Sequence, residues 1–205
     1  MNQILKVCFV FILITGSAMA ESIQSQFGFE VEVGKDWVVW NKKVSEQNVS
    51  SQILAKSQFG LISKEDTVSY LKMVKQVANG DLEYFYDKKS LLSPMKNNMN
   101  IKLSDKKFEM DRGQAITYCK SLPDELPKLY NQSITVSYCG FFEVENYRYF
   151  GVIYTMNHAK IAIFEYNMPT KDDKTLILVG GTDQEGSDRM QKGLNVMINA
   201  IAKIQ

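Results

Sequence analysis

Histidine, cysteine and proline are scarce in this chain, and each shortage closes off a class of chemistry. A single histidine, His158, stands among 205 residues. Any Ser-His-Asp or Cys-His system would have to use it, and an imidazole-based zinc set cannot be assembled. Four prolines and twelve glycines fall well short of the enrichment that marks a disordered chain. Charge of either sign is not in excess. Lysine and arginine total 24 against 23 aspartates and glutamates, so no long-range field draws the chain to nucleic acid or to an anionic membrane.

Only one long apolar run exists, over 7–14. Lys6 precedes it, and small residues follow it to Ala18-Met19-Ala20. This pattern reads as a secretory signal peptide over 1–20, cleaved after Ala20. The run is too short for a spanning helix. The mature chain would then be a single globular domain over 21–205, large enough to bury a core. Loss of Lys6 makes its formal charge zero.

Of three cysteines, Cys8 lies inside the apolar run and leaves with it. The small residues that precede a lipid-bearing cysteine are absent before Cys8, so no lipid anchor is expected. Cys119 and Cys139 remain as an even pair in an oxidising compartment, which points to one disulfide. Two buried free thiols are the alternative. A bridge across about 20 residues contributes about 3 kcal/mol in the chain-entropy picture.

Hydrophobic periodicity supplies the elements. Residues 27–33 alternate, with Phe27, Phe29, Val31 and Val33 on one face, and read as a half-buried strand. A turn at 34–36, a short strand at 37–40 and a third strand at 51–58 follow. Ser63 is a candidate N-cap for a helix carrying Val68, Leu71, Val74 and Ala78, which Asn79-Gly80 stops. Residues 81–92 fit either helix or strand, and 94–100 read as a loop. Strands are then expected at 101–103, 107–110, 114–122, 133–144, 147–156, 160–166 and 175–179. Between them lie a hairpin turn at 111–113 and loops at 123–127, 168–174 and 180–186. A last helix over 187–204 carries an apolar stripe of Met190, Leu194, Met197, Ile198, Ile201 and Ile204. Hairpin following hairpin predicts an α+β fold: an antiparallel β-sheet flanked by helices.

The opening stretch, Phe27-Gly28-Phe29 through Val33-Gly34-Lys35-Asp36-Trp37, resembles the start of PsbP/Mog1-like domains. So does the close, where a strand and a polar turn lead into one long amphipathic helix. The resemblance implies a three-layer α-β-α architecture and a binding or assembly role. It carries over no catalytic residue.

Candidate chemistry is thin. His158 sits in a polar turn. The stretch 183–188 is acidic, but its glycine and missing closing glutamate do not match a calcium loop; capping of the last helix explains it as well. Glu143 and Glu145 could form a carboxylate pair or two solvated strand positions. No catalytic residue, cofactor site or metal site is therefore assigned. The aromatic-rich strands 133–156 offer Tyr147, Arg148 and Tyr149 as a partner surface, with a fully buried hairpin as the alternative. The expectation is a non-enzymatic, exported domain that binds another envelope or secreted protein, as an accessory factor or an immunity-type inhibitor. A carrier of a small apolar ligand or lipid is the runner-up.

Overall fold

A computed structural model describes residues 21–33, 37–43, 64–87, 97–183 and 186–205. The leader at 1–20, the turn at 34–36, the strand at 51–58, the cap at Ser63 and the stretch 88–96 lie outside the described residues. Nine strands and three helices are described: β1 (Glu21–Gln24), β2 (Glu30–Val33), β3 (Trp37–Trp40), α1 (Lys64–Asn79), β4 (Leu82–Asp87), β5 (Asn98–Ser104), α2 (Arg112–Tyr130), β6 (Ile134–Val144), β7 (Tyr147–Met156), β8 (Ile161–Pro169), β9 (Thr175–Thr182) and α3 (Ser187–Ile204). Strands β3-β4-β5-β9-β8-β7-β6 form one sheet in that order, and β1 pairs with β2 separately. Every pairing is antiparallel. The α+β class read from the hairpin pattern is the observed one.

Strand alternation divides the sheet into two faces. On one face Met190, Leu194, Met197, Ile198 and Ile201 of α3 pack with Phe85, Met99, Ile101, Phe164, Leu176 and Leu178. The β1–β2 hairpin extends this core through Phe29 and Val31. On the other face Ala115, Leu122 and Leu126 of α2 cover Phe150, Val152 and Tyr154. There, at the far end of the sheet, Val77 of α1 packs with Trp40 and Leu82. The result is helix, sheet, helix. α1 stops where expected, because Gly80 takes a left-handed φ of 84° that a side chain would oppose.

The largest correction concerns 107–127. Residues 107–110 are irregular rather than a strand, and Asp111 is not part of a hairpin turn. Residues 114–122, expected as a strand, and 123–127, expected as a loop, belong to α2. Asp111 Oδ1 accepts from the Gln114 N–H at 2.8 Å, and Gln114 Oε1 accepts from the Asp111 N–H at 2.9 Å. This reciprocal capping box starts a helix, not a turn. Ala115, Cys119, Leu122 and Leu126 recur at helical spacing toward the sheet. Pro123 and Pro127 sit inside the helix, at a cost that burial of Leu122 and Leu126 offsets.

Smaller differences are shifts of boundary. β2 begins at Glu30, because Phe29 closes a turn in which its carbonyl accepts from the Ser25 N–H at 2.8 Å. β1 was not expected, since its Glu-Ser-Ile-Gln sequence has almost no apolar signal. Residues 82–87 resolve as strand β4. β5 reaches back to Asn98, β8 continues to Pro169 and β9 to Thr182.

Candidate binding cleft

A cleft of about 650 Å³ lies between the first half of α2 and strand β6, the last strand in the sheet order. The capping box fixes where α2 begins, and the helical repeat then sets Arg112, Ile116 and Lys120 four residues apart on one ridge. All three line the cleft. Ile116 is 57% exposed. The inner stripe of the helix faces the sheet, where Cys119 bonds Cys139 of β6 across a Cα–Cα distance of 5.5 Å. The expected disulfide therefore exists, but it joins a helix to a strand rather than two neighbouring strands.

The opposite wall comes from β6 and β7. Cys139, Phe141 and Glu143 share one face of β6 by alternation. Arg148 stands opposite Glu143 in the β6–β7 register, and its guanidinium lies 3.8 Å from the centre of the Phe141 ring. That geometry holds a cation by the ring's negative face and leaves the outer N–H groups free to receive a planar acceptor. Phe141 is fixed in turn by an edge-on contact with buried Phe150 at 5.3 Å. Arg112, Lys120 and Arg148 make no salt bridge among the described residues. Three cations against Glu143 give this cleft a positive excess that the near-neutral chain as a whole lacks.

The expected surface of Tyr147, Arg148 and Tyr149 is divided by the sheet. Arg148 reaches the cleft. Tyr149 is 6% exposed on the other face, stacked on Phe142 at 5.3 Å and edge-on to Tyr166 at 5.6 Å. Tyr147 stacks on Tyr149 at 6.0 Å and donates its hydroxyl to the Pro169 carbonyl at 2.8 Å. Burial, with the Tyr149 ring beside it, pushes the Tyr147 hydroxyl well above the ordinary phenol range. These two rings fill core, and Arg148 alone of the three serves the cleft.

The remaining candidates do not converge. His158 lies exposed in the 157–160 turn. Glu143 is on a strand, while Glu145 occupies the β6–β7 turn with a φ of 54°. Asp183 accepts from the Gly186 N–H at 2.9 Å, at the start of α3. Among the described residues no group of three or more His, Cys, Asp or Glu could hold a metal ion.

Two polar clusters, one buried and one partly buried, escaped sequence reasoning. Glu83 is fully buried and accepts from the Ser25 hydroxyl at 2.5 Å, the Gln26 N–H at 3.0 Å and the Asn41 amide at 3.1 Å. It ties the β1–β2 turn and the end of β3 to β4. Beneath α2, the Tyr154 hydroxyl shares a hydrogen bond with Tyr130 at 3.0 Å and donates to Glu165 at 3.0 Å. Burial, then the bond to Tyr130 and the nearby Glu165 carboxylate, hold the Tyr154 hydroxyl protonated far above its usual range.

No protein-family model matches this sequence, and a search of curated proteins finds no match. Among solved structures the chain is similar to cyanobacterial PsbP (CyanoP) from Synechocystis. There the TM-score is 0.47 and the identity 9%, over 98% of this chain and 96% of that one. It is also similar to the Ran-binding protein Mog1p of Saccharomyces cerevisiae. That match has a TM-score of 0.43 and 6% identity, over 92% of this chain and 95% of that one. The likeness is one of fold. Among the described residues no helix is long and apolar enough to cross a membrane.

Proposed function

We propose that residues 21–205 form an exported, non-catalytic protein-binding domain that docks its partner in the cleft between α2 and β6. One observation carries this reading. Three cations without salt bridges surround the exposed Ile116 and the partly buried Phe141 ring, a mixture suited to anchoring a partner rather than to chemistry. The Cys119–Cys139 bridge supports an oxidising compartment, in keeping with the leader read at 1–20. The partner is another envelope or secreted protein, met by an accessory factor or an immunity-type inhibitor. A photo-crosslinking residue at Ile116, in the native host, tests the reading; the same residue at exposed Lys192 on α3 serves as control. A discrete adduct at Ile116 and none at Lys192 supports it, and the reverse pattern overturns it.

The size of the cleft favours a second reading, a carrier for a small apolar ligand, since about 650 Å³ falls in the range of small-molecule sites. Native mass spectrometry of the purified protein separates the two. A co-purified small molecule lost on blocking Ile116 supports the carrier.

A further inference from the structure

The cleft has a spacing that identifies what fits it. Arg112 and Lys120 are eight helical residues apart, about 12 Å along the axis, with Ile116 midway. In an extended chain, positions one and five are about 13 Å apart, and positions one, three and five point to the same side. We propose, building on the docking reading above, that the cleft takes an extended acidic segment of a partner protein. The pattern is a carboxylate, an apolar side chain two residues on, and a second carboxylate two residues beyond that.

The two carboxylates meet Arg112 and Lys120, and the apolar side chain lies between Ile116 and the Phe141 ring. Arg148, its guanidinium carbon 3.8 Å above the centre of that ring, closes over the same position and offers its outer N–H groups to a carbonyl or a third carboxylate. Glu143 is the only carboxylate among the lining residues and repels an acidic group placed beside it. The segment therefore runs with its acidic ends along the helix ridge rather than along β6. Backbone pairing to β6 is not the main source of recognition. The Tyr138 hydroxyl already donates to the Phe141 carbonyl at 2.9 Å, and the strand is interrupted by a register shift between Val136 and Tyr138. Side-chain charge and the apolar anchor carry the binding.

The test uses the oxidised protein and two labelled peptides, Glu-Ser-Phe-Ser-Glu and its amide counterpart Gln-Ser-Phe-Ser-Gln, with free dodecanoate as competitor. Affinity is read by fluorescence anisotropy and location by amide chemical shifts. The acidic peptide is expected to bind at least about tenfold tighter than the amide one and to weaken as salt rises. Its shifts should be centred on 112–120 and 139–143. The double variant Arg112→Gln/Lys120→Gln, at two exposed positions, should abolish the difference while keeping the circular dichroism spectrum. Equal binding of the two peptides, or binding of neither, overturns the proposal. So does displacement by dodecanoate at lower concentration than the acidic peptide itself requires. The adduct at Ile116 separates the two levels of argument. A captured segment without carboxylates overturns the acidic preference and leaves the docking reading standing. Absence of any adduct there, with partners captured at Lys192, removes the docking reading.

Discussion

Removing the Cys119–Cys139 bridge should loosen α2 more than any other helix. Only Ala115, Leu122 and Leu126 of its 19 residues are buried, a thin anchorage for a helix of that length. Pro123 and Pro127 lack the N–H groups that would otherwise donate to the carbonyls of Cys119 and Pro123. The helix is therefore weakest from Cys119 onward, at the point where the bridge fastens it to β6. With a sequence separation of 20, the chain-entropy relation gives about 3 kcal/mol. For a domain of this size that corresponds to about 6–12 °C in Tm.

The double variant Cys119→Ala/Cys139→Ala is the cleanest perturbation, because both positions are only partly buried and alanine leaves no polar group unpaired. Calorimetry should show that fall in Tm, and urea unfolding should show a larger m, since the uncrosslinked denatured chain exposes more surface. Hydrogen exchange adds the local term. Amides at 115–130 should exchange much faster than in the parent, while those of α3 change only by the global loss. A Tm shift under about 2 °C would refute the loop-closure argument. Equal acceleration in α2 and α3 would refute the claim that the bridge compensates for thin packing.

Other perturbations probe the remaining structure. Glu83→Ala orphans three donors in a buried site and should cost about 3–5 kcal/mol in urea unfolding, whereas Glu83→Gln, which keeps an acceptor in place, should cost about 1 kcal/mol; equal losses would contradict the hydrogen-bonding role. Gly180→Ala places a methyl 2.4 Å from the Asn98 carbonyl and 2.3 Å from the Phe164 ring, so a loss of about 3 kcal/mol or more is expected, and a neutral outcome would show that β5 and β9 can separate. Alkali should destabilise the fold through its buried phenols. Burial, then the neighbouring Tyr149, raises the Tyr166 hydroxyl to about 12. The unfolded chain releases this proton near pH 10, so from there to about pH 12 the folded state binds more protons. The stabilisation is complete below pH 10 and declines as pH rises through that window. The phenolate absorbance of Tyr166, isolated as the difference from Tyr166→Phe, should therefore appear together with unfolding; a gradual titration of that difference signal near pH 10 in the folded protein would contradict the burial. The Tyr154→Phe variant should lose less stability than the parent over the alkaline range, checked by urea unfolding at successive pH values.

Legibility in the sequence followed the strength of single-period signals. The stripe from Met190 to Ile201 has one period and no competing breaker, so α3 was read over its observed span. Residues 147–156 are long, aromatic and β-branched, and β7 likewise appeared as expected. The stretch 107–127 carried two conflicting signals, a helical stripe and two prolines, and weighting the prolines produced a strand and a loop. Asp111-x-x-Gln114 was the discriminating feature, because a reciprocal cap satisfies two N–H groups that a hairpin turn would leave to water. That one misreading also hid the cleft. With 114–122 extended, Arg112, Ile116 and Lys120 do not form a ridge with common spacing, and nothing brings them toward Arg148. The disulfide survived the misreading because cysteine parity and compartment argue for it independently of secondary structure. With 114–122 and 133–144 as strands paired about residues 123–132, Cys119 and Cys139 lie at unequal distances from Pro127, and the bridge fits that pairing only approximately. A helix packed over β6 accommodates the bridge while burying Leu122 and Leu126, and its outer face then presents the two cations and the isoleucine between them.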